Sequence, residues 1–545
     1  MGALYAPLLC VANFSFTPFV LSKETNMIPH EEIRAKHDRS WTFRLVDAIR
    51  SSCSYEDLSE ICETLQELED PRAVKPLLQM LEDLSQPFNV RKAASEVLQF
   101  SCIGLCDDDR HGWWSSEDSL LRRHAVLEAR TSEAHFLIPI ASDPEHEFHE
   151  EAIRSLQYGF EEPEYQRLSI NALSHKNPRV RRAAARNLIW EEPFEAQAGL
   201  IRALSDPVED VANEALTTIS YFSSQQILRA LSDLSKLVSG EKREDLDGVL
   251  CRHEYQFEDA LSRLSGESHD FFRTWLKPVE DLLDFSEREE SDSALPLSPN
   301  TTEQKFDSLL GSTSDIIDLF SDTDLYWHDM YLHFMRFDWA SLAETERVAL
   351  VEFFREHHDP HIREMACKPL SAWNRVDVLE TFLRDRCTSV RKYAAIGLQS
   401  VAPDPSLAAS LWSEYRSVNC TGIRSAATLL AFVVHAPRAG LEDLLVEIAI
   451  TDRRASRKSA AIEQLVALEA NSHMQSVLSL LGEPPLLNWA IHAQLVDYCA
   501  EQRISTPFFA DLCQVDDLNL QRSLAQAVPF LQPVILKGVK YAAKN

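Results

Sequence analysis

The sequence is poor in glycine, and its cysteines are few and scattered. Only 14 of the 545 residues are glycine, which disfavours a turn-rich β protein and favours helices. The 11 cysteines include no Cys-x-x-Cys pair, and their odd number and scatter do not form a disulfide framework. We therefore expect free thiols, a reducing compartment and a cytoplasmic location.

Positive charge and long apolar runs are also scarce. The chain has 54 Lys and Arg residues against 85 Asp and Glu residues, a formal net charge of −31. This charge disfavours nucleic acid as a partner, because nucleic-acid affinity rests on basic side chains that neutralise phosphates. It also disfavours an anionic membrane surface, and no segment is long and apolar enough to span a bilayer.

The apolar stretch Leu4–Leu21 comes closest to a targeting segment. It has no positively charged region before it, and Pro7 and Pro18 interrupt it. We therefore expect residues 1–40 to form an N-terminal extension, with a secretory signal as the alternative.

The segment Asn177–Trp190 has the clearest helical signature in the chain. Asn177 is a natural N-cap, and Pro178 suits the first helical position because its missing N–H would be unpaired there. Small and apolar residues then follow at helical spacing, namely Val180, Ala183, Ala184 and Leu188. Because so short a helix cannot bury its own face, it needs neighbours of the same kind.

The same pattern recurs along the chain. An apolar residue, usually followed by arginine and then by alanines, begins similar segments at Val90, Leu121, Phe148, Val180, Val211, Ile362, Val390 and Ile423. Serine takes the first position at Ser456, and weaker copies begin at Leu487 and Leu520. Within each run the segments recur about every 30 residues, which is the length of two helices and two turns. We therefore predict an all-α fold, an α-solenoid of antiparallel helix pairs.

The repeat is interrupted in the middle of the chain. The register is lost between Val211 and Ile362, and residues 286–304 are acidic and rich in serine and proline. We predict an N-terminal solenoid at 41–285, an acidic linker at 286–312 and a C-terminal solenoid at 313–545. The alternative is a surface loop within one continuous array.

Two segments share the pattern Asp/Asn-Pro-x-Val/Ile-Arg, followed by alanines and a leucine: Asn177–Leu188 and Asp359–Leu370. This pattern resembles the HEAT-repeat family, as found in bacterial HEAT-domain proteins and in related phycobilin lyases and hydroxylases. The resemblance implies that acidic and arginine residues form a ladder between repeats. It therefore implies a structural role first for Arg181, Arg363, Arg391, Arg424 and Arg457.

One histidine cluster suggests metal chemistry. His146 and His149 share a helix face, and Glu150 follows, which is compatible with metal ligation. The resemblance includes deoxyhypusine hydroxylases, whose di-iron centre uses four His-Glu pairs at repeat-related positions. In this chain the pairs begin at His30, His146, His149 and His253, which are not equivalent repeat positions. We therefore expect a polar helix start at these residues, with no metal and no cofactor.

Two groups of residues are candidates for partner binding. Arg179, Arg182 and Arg186, here called the basic patch, exceed what a ladder needs and suit an acidic peptide or a phosphate. Trp113 and Trp114 follow three adjacent aspartates in a loop, and tryptophan is enriched at binding hot spots. The alternative is that the arginines are solvated or belong to the ladder.

The sequence carries no motif of a known catalytic class. It has no Gly-rich phosphate loop, no G-x-S-x-G nucleophile motif and no Walker lysine. We therefore predict no catalytic residues and a scaffold that binds a partner protein on a concave face lined by the second helices. The alternative is a HEAT-fold enzyme, either a metal-dependent hydroxylase or a chromophore lyase.

Overall fold

The computed structural model describes most of the chain between residues 28 and 530. The described ranges are 28–51, 55–100, 112–129, 133–156, 163–189, 193–222, 224–280, 342–417, 422–485 and 488–530, with residues 317, 334, 339 and 420. Within these ranges the secondary structure is entirely helical, with 27 α-helices, a few 3-10 turns and no strand. None of the helices in these ranges has the length and apolar character needed to cross a bilayer.

The first fifteen helices lie between residues 30 and 280. Their bounds are α1 His30–Lys36, α2 Thr42–Ser51, α3 Tyr55–Leu68, α4 Val74–Glu82, α5 Phe88–Phe100, α6 Ser119–Leu127, α7 Ala134–Ser142, α8 His149–Ser155, α9 Pro163–Ala172, α10 Pro178–Asn187, α11 Gln197–Ala203, α12 Glu209–Ile219, α13 Gln225–Ser235, α14 Glu241–Ser262 and α15 Glu267–Glu280.

The remaining twelve helices begin at residue 344. Their bounds are α16 Glu344–Glu356, α17 Pro360–Ala372, α18 Val376–Phe382, α19 Thr388–Gln399, α20 Ala408–Tyr415, α21 Gly422–His435, α22 Leu441–Thr451, α23 Ala455–Ala467, α24 Asn471–Val477, α25 Ala490–Glu501, α26 Phe509–Leu512 and α27 Leu518–Ala527.

These helices form the predicted solenoid of antiparallel pairs. In most pairs the first helix packs against the second, and successive second helices also pack against each other. The second helices are α3, α5, α6, α8, α10 and α12 in the first half, and α17, α19, α21, α23, α25 and α27 in the second half. The all-α solenoid predicted from the sequence is therefore confirmed.

The predicted N-caps explain where two second helices begin. The Asn177 side chain accepts a hydrogen bond from the Arg179 backbone N–H at 3.0 Å, and α10 starts at Pro178. Asp359 accepts from the His361 N–H at 2.9 Å in the same way at the start of α17. Each cap satisfies a helix N–H that has no partner within the helix.

Local backbone features set the bounds of two helices. Helix α14 ends at Ser262, and Gly266 takes a positive φ of 56° before α15 begins. Helix α16 begins at Glu344, where the Glu346 carboxylate accepts from the Ala343 N–H at 2.8 Å. This hydrogen bond satisfies a backbone N–H at the helix start.

The helices form two arms and a connecting group. We call α1–α12 the first arm, α16–α27 the second arm, and α13–α15 the bridge helices. The bridge helices belong to both cores: Ile227 of α13 packs in the core of the first arm, whereas Leu228 packs in the core of the second. Helix α15 also packs against α27 at the far end of the second arm.

The predicted domain boundaries fall partly outside the described residues. Residues 286–312 and the stretch Leu4–Leu21 lie outside them, so the linker and the division into two solenoids stay predictions. Helix α1 lies inside the predicted extension 1–40 and packs against α3 through buried Ile33. The solenoid contacts therefore begin before residue 41.

The two arms touch each other at several levels, in the same chain order. These contacts join Arg39 to Asp359, Glu164 to Arg453 and Phe194 to Trp489, and Gln225 of the bridge helix α13 bonds Asp516 of the second arm. The order is parallel, so the start of the first arm meets the start of the second arm, and the end of the first arm, continued by α13, meets the end of the second. The arms therefore lie side by side and enclose space between them.

Candidate functional site

The ladder implied by the HEAT resemblance is present between successive repeats. Arg181 donates two hydrogen bonds to Asp206 of the next repeat, at 2.7 and 2.8 Å, and Arg363 binds Asp385 with the same fork at 2.7 and 2.9 Å. The Arg181 hydrogen bonds hold the pKa of Asp206 below its usual value, which favours the paired, ionised state. These side chains therefore fix one repeat to the next.

The other three arginines assigned to the ladder also make structural contacts. Arg391 donates to the backbone carbonyl of Asp385, Arg424 pairs with Glu414 at 2.6 Å, and Arg457 donates to the carbonyls of Tyr415 and Cys420. Two of the five arginines thus form the acid–arginine fork between repeats, and three use other acceptors close by.

The basic patch is partly neutralised by the following repeat. Arg182 pairs with Asp210 and Glu214 at 3.4 and 3.2 Å, and Arg186 pairs with Glu214 at 3.1 Å. Both arginines stay about half exposed, and Arg179 is exposed at the start of α10. Partner binding by these residues stays a prediction, with less free positive charge than the sequence indicates.

Trp113, one of the two tryptophans suggested for partner contact, is not exposed. Its side chain is buried in the core at the start of the first arm, and its indole N–H donates to Glu82 at 3.2 Å. Trp114 is half-buried, stacks on Phe136 and donates to Glu133 at 2.7 Å. Contact of Trp114 with a partner stays a prediction, and residues 106–111 of this loop lie outside the described residues.

The predicted polar helix start is what His146, His149 and Glu150 form. The His146 Nδ1 accepts the Phe148 backbone N–H at 3.1 Å, and His149 is buried beside the Ile140 carbonyl. Burial lowers the pKa of His149, so its ring is mostly neutral near pH 7. Glu150 lies 3.4 Å from the Asn177 side-chain amide. Within the described ranges, no three His, Cys, Asp or Glu side chains are placed to share a metal ion.

Two sizeable cavities lie between the arms. We call the first the acidic cavity. It has a volume of about 750 Å³ and lies between Phe194, Gln197 and Phe222 of the first arm and the second helices α23, α25 and α27. These three second helices therefore form one wall of the cavity, and a concave face that binds a partner stays a prediction.

The acidic cavity has an excess of negative charge. Its charged lining residues are Glu463, Asp497, Glu501 and Asp517, with Arg522 as the one base. Glu463 and Glu501 are exposed, and neither lies within ion-pair distance of a basic side chain among the described residues. Burial raises the pKa values of Asp497 and Asp517.

We call the second space the basic cavity, with a volume of about 870 Å³. It lies between α4, the turn from α16 to α17 and the turn after α18, and its basic lining residues are Lys75, Arg355, Arg363, Arg384 and Arg386. Arg355, Arg363 and Arg384 each have an acidic partner at 2.7 to 3.3 Å. Local carboxylates therefore balance much of the positive charge in this cavity.

A contact beside the acidic cavity ties the bridge helices to the second arm. The Asp516 carboxylate accepts hydrogen bonds from the backbone N–H groups of Gln225 and Gln226, at 2.8 and 3.0 Å. It thereby caps the start of α13 from a distant part of the chain. Burial at this contact raises the pKa of the Asp516 carboxyl.

Sequence reasoning did not find the acidic cavity. Its walls come from α11, α25 and α27, and a search by sequence motif does not bring such distant segments together. The one local signal is the placement of Asp497 and Glu501 four residues apart on one face of α25, which is also a common surface pattern.

Comparisons with known proteins agree with the helical repeats. Residues 134–220 match the family model described as HEAT repeats. A designed armadillo repeat protein is 16% identical, with 38% of this chain and 98% of that chain covered and a TM-score of 0.21. The S. pombe condensin Cnd3-Cnd2 subcomplex is 11% identical over 93% of this chain and 79% of that chain, with a TM-score of 0.27.

Importin beta is a third similar structure. It is 13% identical, with 92% of this chain and 57% of that chain covered and a TM-score of 0.26. A search of curated proteins finds no match.

Proposed function

Since the chain is a HEAT-repeat protein, we propose that it is a non-catalytic scaffold that holds a partner protein on the surface lined by its second helices. The observation that carries this proposal is the acidic cavity. There the second helices α23, α25 and α27 present polar and aromatic side chains to an open space of about 750 Å³. Stacked helical repeats use surfaces of this kind to bind their partners.

The use of the conspicuous side chains supports a scaffold over an enzyme. Arg181 and Arg363 join repeats, and His146 binds its own backbone at a helix start. His357 does the same before α17, where its Nδ1 accepts the Asp359 N–H at 3.1 Å. The side chains whose types suggest catalysis or binding in the sequence thus make contacts that stabilise the fold.

Cross-linking after affinity capture tests the proposal. The tagged full-length chain is used as bait in an extract of its native host, treated with a lysine- and carboxyl-reactive cross-linker and digested for mass spectrometry. We expect a partner protein whose cross-links map to α23, α25 and α27. A bait that captures no protein under gentle conditions, or cross-links confined to the first helices, would contradict the proposal.

Metal analysis tests the alternative that the chain is a metal-dependent enzyme. We expect the purified chain to carry no stoichiometric iron or zinc and to unfold at the same temperature with and without a chelator. Bound metal, together with a lower unfolding temperature in chelator, would favour a metal-dependent hydroxylase.

A further inference from the structure

We infer that the acidic cavity binds an arginine- or lysine-bearing segment of a partner protein. This inference rests on the proposed scaffold function and names the chemistry of the partner. It depends on three properties of the cavity: its uncompensated charge, its aromatic walls and its position between the two arms.

The charge of the cavity calls for a cation from outside the chain. Four carboxyl groups and a single guanidinium line it, and the two exposed glutamates, Glu463 and Glu501, have no basic partner among the described residues. Like charges in a partly enclosed space repel more strongly than on open surface, because less water screens them. A bound cationic group relieves this repulsion.

Asp497 is more buried than the two glutamates, and burial raises the pKa of its carboxyl. The Ser523 hydroxyl and the Arg522 guanidinium act in the opposite direction, because both stabilise the ionised carboxylate. A further positive charge in the cavity adds to that stabilisation. Asp517 instead caps α27, where its carboxylate accepts the Leu520 N–H at 2.9 Å.

The aromatic walls indicate which kind of cation fits. Trp489 of the second arm and Phe194 of the first arm lie 6.1 Å apart between ring centroids, and both rings are half-buried at the cavity. Arginine and lysine bind aromatic faces through cation–π attraction, and their aliphatic stems pack on apolar surface. The walls therefore suit a long side chain with a charged end.

A metal ion fits the cavity less well than such a side chain. The described carboxylates include no group of three placed to hold one ion, and aromatic walls supply no ligand for a hard cation. The basic cavity is also a weaker candidate site, because three of its arginines, Arg355, Arg363 and Arg384, have acidic partners of their own.

The test measures binding of defined peptides by fluorescence anisotropy. The probe is a fluorescein-labelled octapeptide of alternating glycine and arginine, and its control replaces every arginine with citrulline, which keeps the shape and removes the charge. Measurements at about 150 mM salt screen general attraction to the acidic surface, since the Debye length is then about 8 Å.

Two double variants of the full-length chain locate the binding. Glu463→Gln with Glu501→Gln removes two charges at the cavity, where neither side chain caps a helix. Glu244→Gln with Glu447→Gln removes two exposed charges that do not line the cavity, so the net charge of the two variants is equal. Circular dichroism confirms that both variants keep their helices.

We expect the arginine peptide to bind the wild-type chain and the citrulline peptide not to bind. The cavity variant should weaken binding about tenfold or more, and the control variant less than about twofold. Equal weakening in both variants would show attraction to the general surface and overturn the inference. Absence of binding, or equal binding of the citrulline peptide, would also overturn it.

Capture with the cavity variant separates this inference from the scaffold proposal. If the wild type and the cavity variant capture the same partner equally well, the scaffold function stands and the role of the cavity falls. If the arginine peptide binds at the cavity but the wild type captures no partner, the scaffold function falls instead.

Discussion

The buried ion pair between Arg39 and Asp359 should hold the starts of the two arms together. Arg39 Nη1 lies 3.1 Å from Asp359 Oδ2, and the side chains are only 2% and 7% exposed. Arg39 also donates to the carbonyls of Leu68 and Glu69, each at 2.9 Å. Asp359 uses its other oxygen to cap α17 through the His361 N–H. One carboxylate thus serves both a helix start and the contact between arms.

Replacement of Asp359 by asparagine isolates the contact between the arms. Asparagine is as good an N-cap as aspartate, so α17 keeps its start. The Arg39 charge would then be buried without a counter-charge, and removal of one member of a buried pair costs about 3–5 kcal/mol. Because Arg39 keeps its two carbonyl acceptors, we expect a loss near the lower limit, about 3 kcal/mol. Asp359→Ala should cost about 1 kcal/mol more, since it also removes the cap.

Hydrogen exchange measured by mass spectrometry is the appropriate assay. Exchange is measured segment by segment, so it shows which arm responds even when the two arms open separately. For Asp359→Asn we expect faster exchange both at the start of α17 and in the segment that contains Arg39 and Leu68. The Arg39→Gln variant and the double variant complete a cycle, in which we expect a coupling of about 1–3 kcal/mol.

A specific outcome would refute this reasoning. If Asp359→Asn speeds exchange only within α17 and leaves the segments around Arg39 and Leu68 unchanged, the pair does not couple the arms. A coupling energy near zero in the double-variant cycle would lead to the same conclusion.

Three further predictions concern single sites. Burial lowers the pKa of His253 from 6.5 to about 4. Between these pH values the unfolded chain therefore binds more protons than the folded chain. The free energy of unfolding should fall by about 3 kcal/mol as the pH is lowered through that window. Urea denaturation across this pH range should be less pH-dependent in His253→Phe, and an unchanged slope would contradict the assignment. Arg181→Lys should cost about 1–3 kcal/mol in denaturation, because lysine cannot make the fork to buried Asp206. Arg182 is the control, because it forms an exposed ion pair, and Arg182→Lys should change stability by less than about 0.5 kcal/mol. Equal losses of stability in the Arg181 and Arg182 variants would contradict a ladder role for Arg181. Gly397→Ala should lower the unfolding temperature, because a Cβ atom there would lie 3.2 Å from the backbone of the neighbouring second helix. An unchanged unfolding temperature would show that the two helices can move apart.

Local patterns predicted the helix pairs well. Asn177 with Pro178 and Asp359 with Pro360 each predict a helix start, because a cap and the residue after it act through neighbouring backbone groups. The ladder contact from Arg181 was implied by the family resemblance. The sequence by itself does not show which acid Arg181 meets.

Predictions of exposure and of the site were less accurate. Trp113 lies in an acidic loop region that suggests exposure, yet its indole is buried and donates to Glu82. Loop composition describes only the residues next to Trp113 in the sequence, whereas its partner Glu82 lies in α4. The acidic cavity was missed for a related reason, because Phe194 and Trp489 meet only where the arms do.

The sequence by itself determined that this chain is a row of helix pairs. Helical periodicity, caps and small residues act over one or two turns, and a period near 30 residues repeats that information along the chain. Only the tertiary structure decided which surfaces the arms share. The pairs Arg39–Asp359 and Gln225–Asp516 join residues far apart in the chain. Such pairing depends on the sum of the many small rotations between successive repeats. That sum places the two arms side by side and creates the acidic cavity between them.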